Sequence, residues 1–155
     1  MAEEHTFGGM ASGWYNSGLR DVLDRTIDLA ADTIKLILVT SSYTPDADHD
    51  FASDLTNELS GTGYTGGFGG AGRKTVGSKA FETDTTNNRV EFSFGAVTWT
   101  AINAGSPKYA IIVKEITNDA ASRLIAYLDL GTVVTNGSDM ILTPSATLGA
   151  LQVTV

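Results

Sequence analysis

Residues 89–94 read Arg-Val-Glu-Phe-Ser-Phe, apolar at every second position, and this period of two most restricts what the chain can fold into. Successive side chains of a strand point to opposite faces, so Val90, Phe92 and Phe94 against Arg89, Glu91 and Ser93 describe a half-buried strand. The alternation recurs where Val97, Trp99 and Ala101 face away from Thr98 and Thr100, and again at Leu151, Val153 and Val155. Residues 32–40, DTIKLILVT, are apolar on both faces, with Ile34, Leu36 and Leu38 on one and Ile37 and Val39 on the other, as a central strand requires. Residues 108–116 and 123–130 are longer apolar strands joined by the polar stretch 117–122, of hairpin length, and are expected to pair antiparallel. Between residues 132–134 and 140–142, Asn136-Gly137 predicts a type I′ turn.

Before these strands the period changes. Tyr15, Leu19, Val22 and Leu23 recur at i, i+4, i+7 and i+8, which predicts a short amphipathic helix over 13–25. Phe51, Leu55 and Leu59 repeat at i, i+4 and i+8, with Asp46 and Asp48 near the start and Gly61 just past the end, and predict a second helix within 45–59. Residues 61–72, GTGYTGGFGGAG, hold seven glycines in twelve positions and must be loop. Residues 1–12 show neither period and read as an extended N-terminal arm, either a frayed terminus or one whose Phe7 and Met10 order on a neighbouring subunit; residues 13–155 are expected to form one β-rich domain.

A chain of 155 residues with 42% apolar and 18% charged residues can bury a core, and seventeen glycines against three prolines suit short strands joined by tight turns. The expected fold class is therefore mainly β: an antiparallel two-layer sandwich or jelly-roll-like domain with two short helices near the N-terminus. A net charge of −8 repels phosphate backbones and anionic lipid, so neither nucleic acid nor a membrane is expected as partner, and a basic protein surface is. No apolar run reaches the length of a membrane span, and the acidic start MAEEHTFGG does not resemble an export signal. Without cysteine there is no disulfide framework and no thiolate metal site.

The motifs present are imperfect. Residues 61–66 match G-x-G-x-x-G, but more glycine follows where a dinucleotide fold needs a helix N-terminus. Residues 70–75 end like a phosphate-binding loop, except that Arg73 stands where glycine must precede Lys74-Thr75. Asp46, Asp48, Asp50 and Asp54 fall at positions 1, 3, 5 and 9 of a calcium loop; Phe51 replaces its glycine and Asn57 its closing glutamate, so acids at a helix start are the better account. His5 and His49 have no metal-ligand spacing, and no nucleophile elbow occurs. Asn136-Gly137-Ser138 fits a glycosylation sequon but is accounted for as a turn. Trp14 and Trp99 suit a core or an interface, and Tyr43, Tyr64 and Phe68 are loop aromatics of the kind a carbohydrate-binding groove would use. No enzymatic constellation and no cofactor site is expected.

Residues 32–67, DTIKLILVTSSYTPDADHDFASDLTNELSGTGYTGG, then VTWT from Val97, KYAIIV from Lys108 and LIAYLDLG from Leu124, resemble small virion structural proteins of tailed bacteriophages. The likeness runs from Trp14 to the end; the acidic arm and the extra glycines around Phe68 depart from it. It implies a capsid decoration, or cement, protein on the exterior of the virion, made in the host cytoplasm. Its partners would be the major capsid protein and its own copies, as a trimer or dimer. Phe7, Met10, Trp14, Tyr64 and Phe68, on the arm and the glycine loop, are then the expected partner-binding residues. The alternatives are a tail or neck component, or a carbohydrate-binding, host-attachment module.

Overall fold

The computed structural model of the chain describes residues 3–7, 12–146 and 149–154, the first segment by its backbone. Along these residues run β1 (Glu3–Phe7), β2 (Ser12–Trp14), α1 (Asn16–Leu23), β3 (Ile34–Thr40), a 3-10 turn (Ala52–Asp54), β4 (Lys74–Thr75), β5 (Ala80–Asp84), β6 (Arg89–Ser93), β7 (Val97–Trp99), β8 (Pro107–Lys114), β9 (Arg123–Asp129), β10 (Met140–Pro144) and β11 (Leu151–Thr154). They make three sheets, ordered β2-β9-β8-β3-β4, β1-β10-β7 and β11-β6-β5. Every pairing is antiparallel except that of β1 with β10, in which Glu3 lies opposite Met140 and Phe7 opposite Pro144. The chain is mainly β, as expected, and the expected arm contributes a strand.

β3 owes its position to its two apolar faces. Ile34, Leu36 and Leu38 join one buried cluster with Ala110 and Ile112 of β8, Phe92 of β6, Val97 and Trp99 of β7, Leu142 of β10 and Leu151 of β11, so all three sheets contribute to it. Ile37 and Val39 point the other way, into a second cluster with Ile111, Val113, Leu124, Tyr15 and Tyr43. β8 and β9 pair antiparallel as their lengths and polar connection predicted, from Tyr109 opposite Asp129 to Lys114 opposite Arg123.

Three expectations fail. The second helix shrinks to the 3-10 turn, leaving α1 as the one α-helix among the described residues. Its aspartates bind nearby backbone instead of starting a helix: Asp46 Oδ1 accepts from the Asp48 N–H, and Asp54 Oδ2 accepts from the N–H groups of Asp50 and Phe51. Asn57 then turns left-handed (φ 59°), and Leu59 N–H donates to the Leu38 carbonyl along the edge of β3. Secondly, residues 132–134 form no strand. Thr135 instead bonds irregularly to the 102–105 segment, its N–H and Oγ1 both donating to the Gly105 carbonyl. Thirdly, the Asn136-Gly137 turn is not type I′, since Gly137 has φ 93° but Asn136 is not left-handed; Asn136 Oδ1 accepts from the Ser138 N–H.

The first helix is shorter than the expected 13–25 and turns a different face inward. Its buried residues are Ser17, Gly18 and Asp21, and a Cβ at Gly18 would stand 2.4 Å from the Leu124 carbonyl oxygen. Gly18 therefore lets α1 lie directly on the backbone of β9. The apolar stripe that predicted the helix is split: Tyr15 is fully buried in the second cluster, Leu19 and Val22 are half-buried, Val22 against the main cluster, and Leu23 is 74% exposed.

Candidate interaction surface

That stripe forms one wall of a groove. Trp14, Leu19, Val22 and Leu23 face Phe81, Val90, Phe92, Leu151 and Val153 of the β11-β6-β5 sheet across it. Alternation explains the sheet's contribution. In register, Phe81, Phe92 and Leu151 form one row and Thr83, Val90 and Val153 the next, all on one face. The first row reaches the core through Phe92 and Leu151, while the second passes beyond it, leaving Val90 and Val153 exposed and Phe81 52% exposed at the outer strand. Large apolar side chains from two elements are thus left open side by side, unlike the scattered single residues of an ordinary surface.

The expected site residues divide. Trp14 lines the groove, half-buried, with its indole N–H 3.4 Å from the Gln152 carbonyl. Phe68 is 45% exposed at the tip of the glycine loop. Phe7 lies on β1, where only the backbone is described, and Met10 lies outside the described residues. Tyr64 is not a surface group. It is 1% exposed, and its hydroxyl accepts from the Leu38 N–H at 2.9 Å and donates to Glu58 Oε1 at 3.2 Å. Burial pushes its phenol far above the ordinary range. Tyr43 is equally buried, bonded to the Tyr15 hydroxyl and to Nδ1 of His49, both at 2.9 Å. Of the three loop aromatics only Phe68 meets solvent, so they do not assemble a stacking face for sugar. Trp99 belongs to the core, its Nε1 donating to the Gly72 carbonyl at 2.7 Å.

Tyr64 and Trp99 both hold the glycine loop, and Arg73 completes the attachment. Its side chain is 2% exposed, and its guanidinium meets Glu58 at 2.8 and 2.9 Å, Asp119 at 2.5 and 3.2 Å and Glu115 at 3.2 Å; Lys35 meets Glu115 from β3 at 2.5 Å. Burial alone would lower the pKa of Arg73, but hydrogen bonds to Glu58, Asp119 and Glu115 raise it instead. The residue that spoiled the phosphate-loop motif is therefore the anchor of the loop. No sequence signal announced it, because its partners lie 15, 42 and 46 residues away.

Among the described residues no group of three or more potential ligands is placed to hold a metal ion, and no helix is long and apolar enough to cross a membrane. No family model, curated protein or solved structure matches the chain.

Proposed function

We propose that this chain is a virion structural protein of a tailed bacteriophage, a decoration protein that binds the outside of the mature head and stabilises it. In this reading the sheets pack as a two-layer sandwich serving as a rigid platform, and the groove between α1 and the β11-β6-β5 sheet meets the partner. The observation that carries a binding role is the orientation of α1: its polar face is buried on β9 while Leu23 is left 74% exposed opposite Phe81. A single chain gains nothing from exposing Leu23 and Phe81, whereas a partner covering them recovers about 25 cal/mol per Å². The resemblance of residues 14–155 to small virion proteins supplies the kind of partner. Many weak, identical contacts across a symmetric lattice multiply, and binding the mature lattice alone stabilises it by mass action.

The test is co-sedimentation of the purified protein with phage heads before and after expansion. Saturable binding to expanded heads alone is expected, and Leu23→Asp should weaken it while the chain stays folded. Absence of binding to either form, or equal binding by Leu23→Asp, overturns the reading. Because residues 3–7 pair with β10, removal of residues 1–11 is read in the same assay together with circular dichroism; unchanged occupancy by a folded variant removes the arm from the contact.

A further inference from the structure

The hairpin of β5 and β6 carries a different chemistry on each face and ends in an unpaired edge. β5 is the outermost strand of its sheet, and among the described residues nothing pairs with its far side. One face presents Phe81 and Thr83 beside Val90, next to the groove walled by Val22 and Leu23. The other presents Glu82 opposite Glu91 and Asp84 opposite Arg89. Arg89 meets Glu91 at 2.6 Å and Asp84 at 2.8 Å, while Glu82 has no cation among the described residues. One cation thus serves Asp84 and Glu91, the face keeps a net negative charge centred on Glu82, and it favours a cation alongside.

Charges on an outer strand commonly serve to block edge-to-edge aggregation. Here they block selectively. A second copy of β5 laid antiparallel on the first with Glu82 opposite Glu82, or opposite Asp84, would set carboxylate against carboxylate, so self-pairing in those registers is opposed. A foreign strand with basic residues at alternate positions meets the opposite situation, because a cation falls beside Glu82, while Asp84 is already held by Arg89 and Asn87. Its apolar residues, pointing the other way by the same period of two, fall beside Phe81 and the groove.

We propose that the outer edge of β5 is a docking strand for an extended segment of a partner protein in which apolar residues alternate with lysine or arginine. The segment adds one strand to the β11-β6-β5 sheet; backbone hydrogen bonds supply affinity and the two faces supply specificity. This goes beyond the decoration reading and does not rest on it, since any protein carrying such a segment would dock.

The probe is a capped heptapeptide alternating valine and lysine, compared with one alternating valine and glutamate and with the valine–lysine composition in block order. Binding is read by fluorescence anisotropy and by hydrogen exchange at the amides of residues 80–84. The alternating basic peptide is expected to bind best and to slow exchange in β5. Glu82→Lys should weaken it about fivefold, the size of a rim ion pair, and improve binding of the glutamate peptide. Phe81→Asp should weaken it at least about tenfold. Glu82→Gln gives a milder change if the reversal disturbs folding, which circular dichroism checks. No binding, equal binding of the block peptide, or protection elsewhere than β5 overturns the proposal. Binding of heads with failure of the peptide leaves the decoration reading standing alone, and the reverse leaves this one.

Discussion

Replacing Arg73 by methionine removes a buried cation that ties the glycine loop to the body of the protein. Its guanidinium touches three carboxylates, of which Glu115 is 5% exposed and Glu58 18% exposed. Methionine fills a similar volume, so the loss is electrostatic. Glu115 keeps Lys35, but among the described residues Glu58 keeps only the Tyr64 hydroxyl and the Gly67 N–H. Removing one partner of a buried pair costs about 3–5 kcal/mol, because a desolvated charge is left behind. In a domain of this length that is a fall in Tm of roughly 6–20 °C, at about 2–4 °C per kcal/mol. Urea denaturation should show a lower midpoint with unchanged slope. The double variant Arg73→Met, Glu58→Gln should recover much of the loss, since Glu115 keeps Lys35 and Asp119, 32% exposed, keeps water, whereas Arg73→Lys should fall between, lacking the two-pronged geometry. A cost for Arg73→Met below about 1 kcal/mol, the size of an exposed pair, would refute the view that this network anchors the loop.

Alkaline pH should unfold the protein earlier than its surface charge implies. Burial, foremost, raises the phenol pKa of Tyr15 and of Tyr64, so their stabilisation is complete below the unfolded value near pH 10 and is lost as pH rises above it. Two such groups together cost roughly 2 kcal/mol between pH 10 and 11, and a urea midpoint that stays flat over that interval would contradict this. Asp54 behaves in the opposite sense: the N–H of Phe51 leads in holding its pKa below the ordinary carboxylate range, so its contribution is present above that range and lost as pH falls through the folded value. Asp54→Asn should cost about 1 kcal/mol at neutral pH and flatten the acid limb of stability measured by urea titration. Gly18→Ala, which would help an exposed helix by about 1 kcal/mol, should instead destabilise by roughly 1–3 kcal/mol in thermal melts, because the new Cβ meets the β9 backbone.

The strands that stand on their own period were legible in the sequence. β3, β6, β8, β9, β10 and β11 lie within a residue or two of their predicted positions because each carries its own apolar pattern. β5 was missed since Phe81 is its only large apolar residue; its conformation is imposed by pairing with β6, a non-local cause. The second helix was a false period. Phe51 forms a bridge with Arg123 and stacks under its guanidinium, while Leu59 serves the edge of β3, so residues spaced like one helical face go to different neighbours. The groove was half legible. Leu19, Val22 and Leu23 announced an apolar stripe, but no local signal announced that Ser17, Gly18 and Asp21 would be the side laid on β9. Tyr64 looked like a loop aromatic, though the glycines around it leave it room: a Cβ at Gly72 would stand 2.6 Å from its ring.

Cryo-electron microscopy of purified virions carrying this chain addresses the proposed role most directly. Density for the domain on the outer face of the head, in a copy number that follows the capsid subunits and with the Leu23–Phe81 groove turned to its partner, is the predicted result. Density confined to the tail or neck in a few copies, or none on the particle, would contradict it.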